Sequence, residues 1–162
     1  MPFPIYLLLG SNLGDRSANL NHARQEISRS VGEIITTSSI YRSAAWGNTK
    51  QEDFYNQVLE IRSTYKPEEL LQRILEIELQ MGRIREEKWG PRIIDIDMLF
   101  YGQLIHDSKT LTIPHKEIPH RKFTLLPLGE IASDFIHPTS NKTILQLLIE
   151  CKDDLAVEKL DY

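Results

Sequence analysis

The stretch Trp89-Gly-Pro-Arg-Ile-Ile-Asp-Ile-Asp-Met-Leu-Phe-Tyr101 sets two aspartates, Asp95 and Asp97, inside a run of β-forming residues. On a strand, residues two apart project to the same side. The two carboxylates therefore share one face, while Ile94, Ile96 and Met98 share the other and point toward a core. Like charges on one sheet face are unfavourable, and carboxylates withdrawn from water without partners are costly. A cation is the simplest remedy, and an oxygen-only donor set favours a hard one, magnesium before zinc. Arg83, Arg85 and Arg92 lie just upstream. Carboxylates for a metal beside guanidinium groups is the combination that polyphosphate chemistry needs.

Working outward from this strand gives the fold. Upstream, Pro67 followed by Glu68 and Glu69 is a helix start. Leu70, Leu71, Ile74, Ile77, Glu78 and Met81 continue the helix to Gly82, which ends it. Residues 83–91 form a charged loop. Before the helix, Phe54 to Thr64 alternates as a strand, with Phe54, Asn56 and Val58 on one side and Tyr55, Gln57 and Leu59 on the other. A loop of about ten residues, Ser43 to Asp53, is long enough in a compact domain to suggest function. Ile34 to Arg42 reads as a strand. Arg16 to Val31 has Leu20, Ala23, Ile27 and Val31 at helical spacing. Ile5 to Leu9 is a buried strand, followed by turn residues in Gly10-Ser-Asn-Leu-Gly-Asp15. The order β-α-β-β-α-β predicts an α+β, ferredoxin-like sandwich, an antiparallel sheet with helices on one face. The aspartates belong to the other face. A C-terminal extension follows Gly102, with helices expected near Leu125 to Ile131 and Thr143 to Cys151.

The chain of 162 residues fits a single domain, 1–162. Nineteen basic against 23 acidic residues give a net charge of −4, which argues against nucleic acid as a bulk partner. Cys151 is the only cysteine, so no internal disulfide or cysteine cluster forms. No basic leader or apolar run of the ~20 residues needed to span a membrane is legible. No membrane association and a cytoplasmic location are the expectations.

Other residues are less decisive on their own. His115, after Pro114, reads as a turn residue. Periodicity alone favours core packing for Phe54 and Phe123. Asn56 shares the Phe54 face, where an amide can both donate to and accept from a heterocycle edge. Gly10 and Gly14 do not make a phosphate-binding P-loop, because no Gly-Lys-Ser/Thr follows. No Ser-His-Asp or Cys-His pattern supports covalent catalysis.

Five segments in this order resemble one family: Leu-Gly-Ser-Asn-Leu-Gly-Asp15, Gln51-Glu-Asp-Phe-Tyr-Asn56, Gly82-Arg-Ile-Arg85, Trp89-Gly-Pro-Arg-Ile-Ile-Asp-Ile-Asp97, and Ile113-Pro-His115 with Arg121-Lys-Phe123. Together they resemble 6-hydroxymethyl-7,8-dihydropterin pyrophosphokinase of folate biosynthesis, over about residues 5–138. The resemblance implies transfer of pyrophosphate from ATP to the pterin hydroxymethyl group, with AMP released. It implies two magnesium ions on Asp95 and Asp97, and Arg83 and Arg92 as a mobile-loop pair that stabilises the transferred group. Arg85, His115 and Arg121 match positions near the phosphates. Thr112 and the backbone at Met98 match the nucleotide pocket, and Glu78 matches an acid near the active site. Phe54 and Phe123 match the pair that sandwiches the pterin, reversing the core-packing expectation. Asn56 matches the pterin-reading asparagine, Trp89 a closing loop residue, and Ser43 a pocket-wall position. The substrates expected are ATP and a reduced hydroxymethylpterin, handled by a monomer. The family commonly has Arg-Thr-x-Pro after the second strand. Here Arg42-Ser-Ala-Ala-Trp46 keeps a hydroxyl and lacks the proline.

Two other classes compete on the residues alone. A metal-dependent phosphoesterase would use the acid pair to hydrolyse, and a ferredoxin-like regulatory module would bind without reaction.

Overall fold

The strand β1 (Ile5–Ser11) is the axis of the sheet, with β4 (Phe54–Arg62) antiparallel on one side and β5 (Asp95–Tyr101) antiparallel on the other. The structure is a computed structural model that describes residues 3–44, 52–82 and 92–160. Between β1 and β4 run α1 (Arg16–Ser30), β2 (Glu33–Thr37) and β3 (Tyr41–Ser43). Next come α2 (Pro67–Gln80), β5, a small hairpin of β6 (His106–Asp107) and β7 (Thr112–Ile113), a 3-10 turn at Ile118–His120, α3 (Lys122–Ala132), α4 (Ile144–Glu150) and β8 (Val157–Lys159). The main sheet runs β5-β1-β4-β3-β8, with β2 also paired to β4.

The expected strand from Ile34 to Arg42 is two strands. β2 pairs with the C-terminal half of β4 and β3 with its N-terminal half. Ser38 sits at the break and keeps the edge satisfied: its N–H donates to Val58 O (2.9 Å), and its hydroxyl accepts from Val58 N (2.9 Å). α1, α2 and α4 start where expected, whereas α3, expected from Leu125, begins earlier, at Lys122. Asp15 caps α1 by accepting from Ala18 N (3.0 Å), and Pro67 opens α2 ahead of Glu68 and Glu69. Gly82 follows α2 with φ +88°, a conformation that glycine adopts without strain. Thr143 and Gln146 form a reciprocal capping box on α4.

Both sheet faces are covered, by different elements. One carries α1 and α2: Ile5, Leu7, Leu9, Leu59, Ile61, Ile96 and Met98 pack with Leu20, Ile27, Leu70 and Ile74. The C-terminal extension supplies the cover of the other: Tyr6, Leu8, Val58, Leu99 and Phe100 pack with Ile118, Leu125, Leu128, Ile144 and Leu147. A register shift in β5 puts Leu99 and Phe100 into the same core, because Tyr6 pairs with Phe100 and Leu7 with Met98. Among the described residues, no helix is long and apolar enough to cross a membrane.

Candidate active site

Each column of the second face passes from packed core residues to candidate site residues, β5 one row earlier than β1 and β4. β1 runs Tyr6, Leu8, Gly10; β4 runs Val58, Asn56, Phe54; β5 runs Phe100, Asp97, Asp95. The register sets Asp95 opposite Gly10 and Gly10 opposite Asn56, and Asp97 opposite Leu8 and Leu8 opposite Val58. A row Asp95–Gly10–Asn56 thus crosses three adjacent strands, next to the Leu8 and Val58 level of the second core. Tyr41 continues the row on β3, opposite Asn56, and donates from its hydroxyl to Glu130 Oε1 of α3 (2.8 Å).

On the acid side, Arg92 Nη1 lies 3.3 Å from Asp95 Oδ2, and both side chains are largely shielded from water (14% and 26% exposed). The Arg92 main chain is held by Asn12, which is 2% exposed. Asn12 donates its N–H to Arg92 O (3.0 Å) and accepts from Arg92 N at Oδ1 (2.7 Å), while its Nδ2 donates to Glu52 O (3.2 Å). One buried amide thereby ties residue 52 to residue 92. Glu78, also buried, accepts from the N–H of Ile96 (2.8 Å). β5 is an edge strand, so alternate N–H groups face away from β1, and the carboxylate from α2 satisfies the one between the two aspartates. By the period of two, the Met98 backbone faces the same free edge, while its side chain is buried under the helices.

On the amide side, Asn56 and Ser43 are buried (3% and 2% exposed), and Asn56 Nδ2 donates to Ser43 Oγ (2.8 Å). Phe54 is half-buried beside Gly10. Phe123, one residue into α3, is half-buried against the second core, and the Arg121 guanidinium carbon lies 5.6 Å from its ring centre. Neither phenylalanine is fully enclosed.

A third group approaches along β5. His115 donates its N–H to Leu99 O (3.0 Å), and its Nδ1 accepts from Glu117 N (3.2 Å). Burial, and then the nearby Arg121 charge, hold the imidazole below its usual pKa. Thr112 lies exposed on the hairpin, its Oγ1 donating to Asp107 Oδ1 (3.1 Å). Of the expected site residues, Ser43, Phe54, Asn56, Glu78, Arg92, Asp95, Asp97, Met98, Thr112, His115, Arg121 and Phe123 are described. Arg83, Arg85 and Trp89, with Trp46, lie outside the described residues. Sequence reading passed over Gly10 and Asn12. The available signal was a Gly-Ser-Asn step ending an apolar strand, where turn residues take over within one residue.

This arrangement defines a class first: a ferredoxin-like α+β scaffold with acids, an arginine and a buried amide at one end of one sheet face, suited to a polyphosphate and a flat polar partner. The family model described as 7,8-dihydro-6-hydroxymethylpterin-pyrophosphokinase (HPPK) matches residues 6–133. A Synechocystis 2-amino-4-hydroxy-6-hydroxymethyldihydropteridine pyrophosphokinase is 45% identical over 146 residues, covering 88% of this chain and 74% of its own. The enzyme of the same name from Methylorubrum extorquens is 38% identical over 158 residues, covering 96% of this chain and 98% of its own. The HPPK-DHPS protein of Plasmodium falciparum, solved as wild type with SDX-DHP, shares the fold with TM-score 0.74 at 18% identity. The match covers 93% of this chain and 43% of that longer one. The chain belongs to the 7,8-dihydro-6-hydroxymethylpterin-pyrophosphokinase family and is an ATP-dependent diphosphotransferase of folate biosynthesis.

Proposed function

We propose that pyrophosphate passes from ATP to the hydroxymethyl group of 6-hydroxymethyl-7,8-dihydropterin at one end of the second sheet face, with AMP released. The observation that carries this reading is the row Asp95–Gly10–Asn56, which brings acid and amide onto one face of three adjacent strands. Asp95 and Asp97 are the metal ligands in this reading, for two magnesium ions. The donor set fits: it is oxygen-only, and among the described residues no cluster of three or more His, Cys, Asp or Glu forms a cage. Magnesium commonly takes one or two carboxylates and completes its shell with water and phosphate. When bound, it supplies charge screening for the polyphosphate and polarisation of the acceptor hydroxyl.

The chain's own groups do the rest. Arg92, held by Asn12 at its main chain and by Asp95 at its guanidinium, is placed to bind the phosphoryl oxygens on which charge builds. Arg83 joins it from the preceding loop. Arg85, Thr112, His115 and Arg121, with the Met98 backbone, take the nucleotide side. Glu78 fixes the strand between the two acids. Asn56, oriented by Ser43, reads the pterin edge, Phe54 and Phe123 hold the ring faces, and Trp89 closes over it. No group here is placed as a strong general base, so positioning and charge complementarity supply the rate. We also propose a cytoplasmic monomer whose residues 1–162 act as one domain, because every group assigned comes from one chain; sedimentation that gave a stable dimer would remove the monomer.

Incubation with ATP, magnesium and the reduced hydroxymethylpterin tests the reaction. AMP formed only in the presence of the pterin is the expected result. Phosphate released from ATP without the pterin would replace transfer by hydrolysis, and no nucleotide change would leave binding alone.

A further inference from the structure

The hairpin β6–β7 stands outside the main sheet, and its strands pair only His106 with Ile113 and Asp107 with Thr112. A two-stranded ribbon of that size has little stability of its own. Its orientation must come from what grips it. One grip is apolar: Leu111 and Ile113, alternate residues of the returning limb, are buried in the core under α1 and α2. A second lies beyond the hairpin, where the His115 N–H reaches Leu99 O of β5 (3.0 Å). Both act on residues after the turn.

The outgoing limb and the turn are held by one carboxylate. Glu68, in the first turn of α2, receives three side chains. Its Oε1 accepts from Ser108 Oγ (2.7 Å) and lies 3.1 Å from His106 Nε2. Its Oε2 accepts from Thr110 Oγ1 (2.8 Å). A hydroxyl has one proton and two lone pairs. With the proton on Glu68, the Ser108 lone pairs are left for the turn N–H groups of Leu111 (3.2 Å) and Thr110 (3.4 Å). The competing acceptor for that proton, Leu111 O, is farther away at 3.4 Å. Glu68 therefore sets the shape of the turn as well as its position. The helix dipole favours a carboxylate in the first turn. The bonds from Ser108, then Thr110 and His106, hold the Glu68 carboxyl below its usual pKa. Thr112 is exposed and stands opposite Asp107, on the limb that Glu68 grips. Toward its other end α2 carries Glu78, which holds the Ile96 N–H between the two aspartates (2.8 Å). One helix thus fixes both the acid strand and the hairpin.

We propose that Glu68 is a positioning residue for the nucleotide: its carboxylate clamps the β6–β7 hairpin to α2, so that Thr112 keeps a fixed place relative to Asp95 and Asp97. The inference rests on the reading above, in which Thr112 and His115 take the nucleotide side. Glu68 acts through the hairpin rather than on a reacting group. The clamp lies at the surface, with the Glu68 side chain 44% exposed, so its loss registers in nucleotide binding rather than in global stability.

The test measures three things on full-chain variants: the Kd of a non-hydrolysable ATP analogue with magnesium, the pterin KM and kcat at saturating ATP, and the melting temperature. Glu68→Ala is expected to raise the analogue Kd about fivefold, the order of one lost hydrogen-bond contribution. The pterin KM and kcat should stay within about twofold of the parent, and the melting temperature should hardly move. Glu68→Gln, which keeps one acceptor oxygen, should fall between parent and Glu68→Ala. Ser108→Ala combined with Thr110→Val removes the hydroxyls and leaves the Glu68 charge in place. That pair should reproduce the rise, and adding Glu68→Ala to it should cost little more. His115→Ala serves as the reference for the nucleotide reading. If it weakens the analogue and Glu68→Ala does not, the clamp is wrong while the reading stands. If neither weakens the analogue, the reading falls and the clamp with it. An effect of Glu68→Ala that the Ser108 and Thr110 pair does not reproduce would belong to the charge alone and overturn the clamp. Equal weakening of analogue and pterin, with a fall in melting temperature, would make Glu68 a structural residue and overturn the positioning role.

Discussion

Along β1, Ile5, Leu7 and Leu9 are fully buried beneath α1 and α2. The alternate residues Tyr6, Leu8 and Gly10 leave a packed core and enter a site within the same three steps. The two faces share strands, hydrogen bonds and twist. They differ in what covers them. The face under α1 and α2 supplies rigidity. The face covered by the C-terminal extension ends in a polar row, where Asp95 and Asp97 stay half-buried and Asn56, itself buried, is satisfied by Ser43. Sites on such rigid strands hold their groups more closely than loops do. Stability and chemistry are thus divided between the sides of one sheet rather than between separate domains.

That division can be broken from either side, and the largest effect belongs to the site. Asp97→Ala should abolish AMP formation while pterin binding, read by calorimetry, remains measurable and the melting temperature stays close to the parent. Full activity in that variant would sink the metal assignment. Arg92→Ala should lower kcat by ~10²–10³, the usual cost of one preorganised charge contact, and raise either KM much less. An unchanged kcat removes Arg92 from the mechanism. On the other face, Ile74→Ala should cost about 2–5 kcal/mol of stability as a large-to-small core change, measured by urea unfolding, with both KM values unmoved. A selective rise in the pterin KM would show that the faces are not separable. Ser43→Ala should raise the pterin KM roughly fivefold, from loss of one buried hydrogen bond worth about 1 kcal/mol. No change there would mean that Asn56 is oriented by something else.

The smallest effect concerns pH. Burial lowers the pKa of both His115 and His137 from the ordinary 6.5. Each ring accepts backbone N–H groups at Nδ1, Glu117 for His115 and Thr139 and Ser140 for His137, which the neutral form alone can do. The unfolded chain then binds protons that the folded chain refuses. Their stability contribution is complete above pH 6.5 and is lost as pH falls through the lowered folded values. Melting curves should shift down by a few degrees over that range, and His137→Gln should flatten part of the shift. A melting temperature flat from pH 7.5 to about pH 5.5 would contradict it.

Much of this was legible in the chain. The two periodicities separated helices from strands: Leu20, Ala23 and Ile27 at helical spacing, and Phe54 to Thr64 alternating. Pro67 with Glu68 and Glu69 placed the start of α2. The acid pair showed itself because charge inside an apolar strand is expensive. Three things escaped, for physical reasons. The cover of the second face comes from α3 and α4, whose partners lie far away in sequence, so no local pattern reveals it. Ser38 divides one apparent strand into two by a side-chain bond that spacing does not encode. Asn12 acts through main-chain partners at residues 52 and 92, and a buried amide looks in sequence like any turn asparagine. The Phe54 and Phe123 pair shows the same limit: periodicity assigns a face, but not whether that face is roofed at that height.

Leu99 makes β5 one residue longer than the β1 ladder opposite it. Without that insertion, an odd separation such as Asp97 to Phe100 could not put both residues on one face. The surplus peptide also turns its carbonyl to the N–H of His115. Leu99 therefore works like an indexing tooth. It sets the phase of the carboxylates against the aromatic anchor behind them, and it couples both to the histidine segment arriving from the side. A strand altered in length on either side of this tooth would keep its composition, its pairing partners and its acids, yet present them out of step with the groups they must act beside.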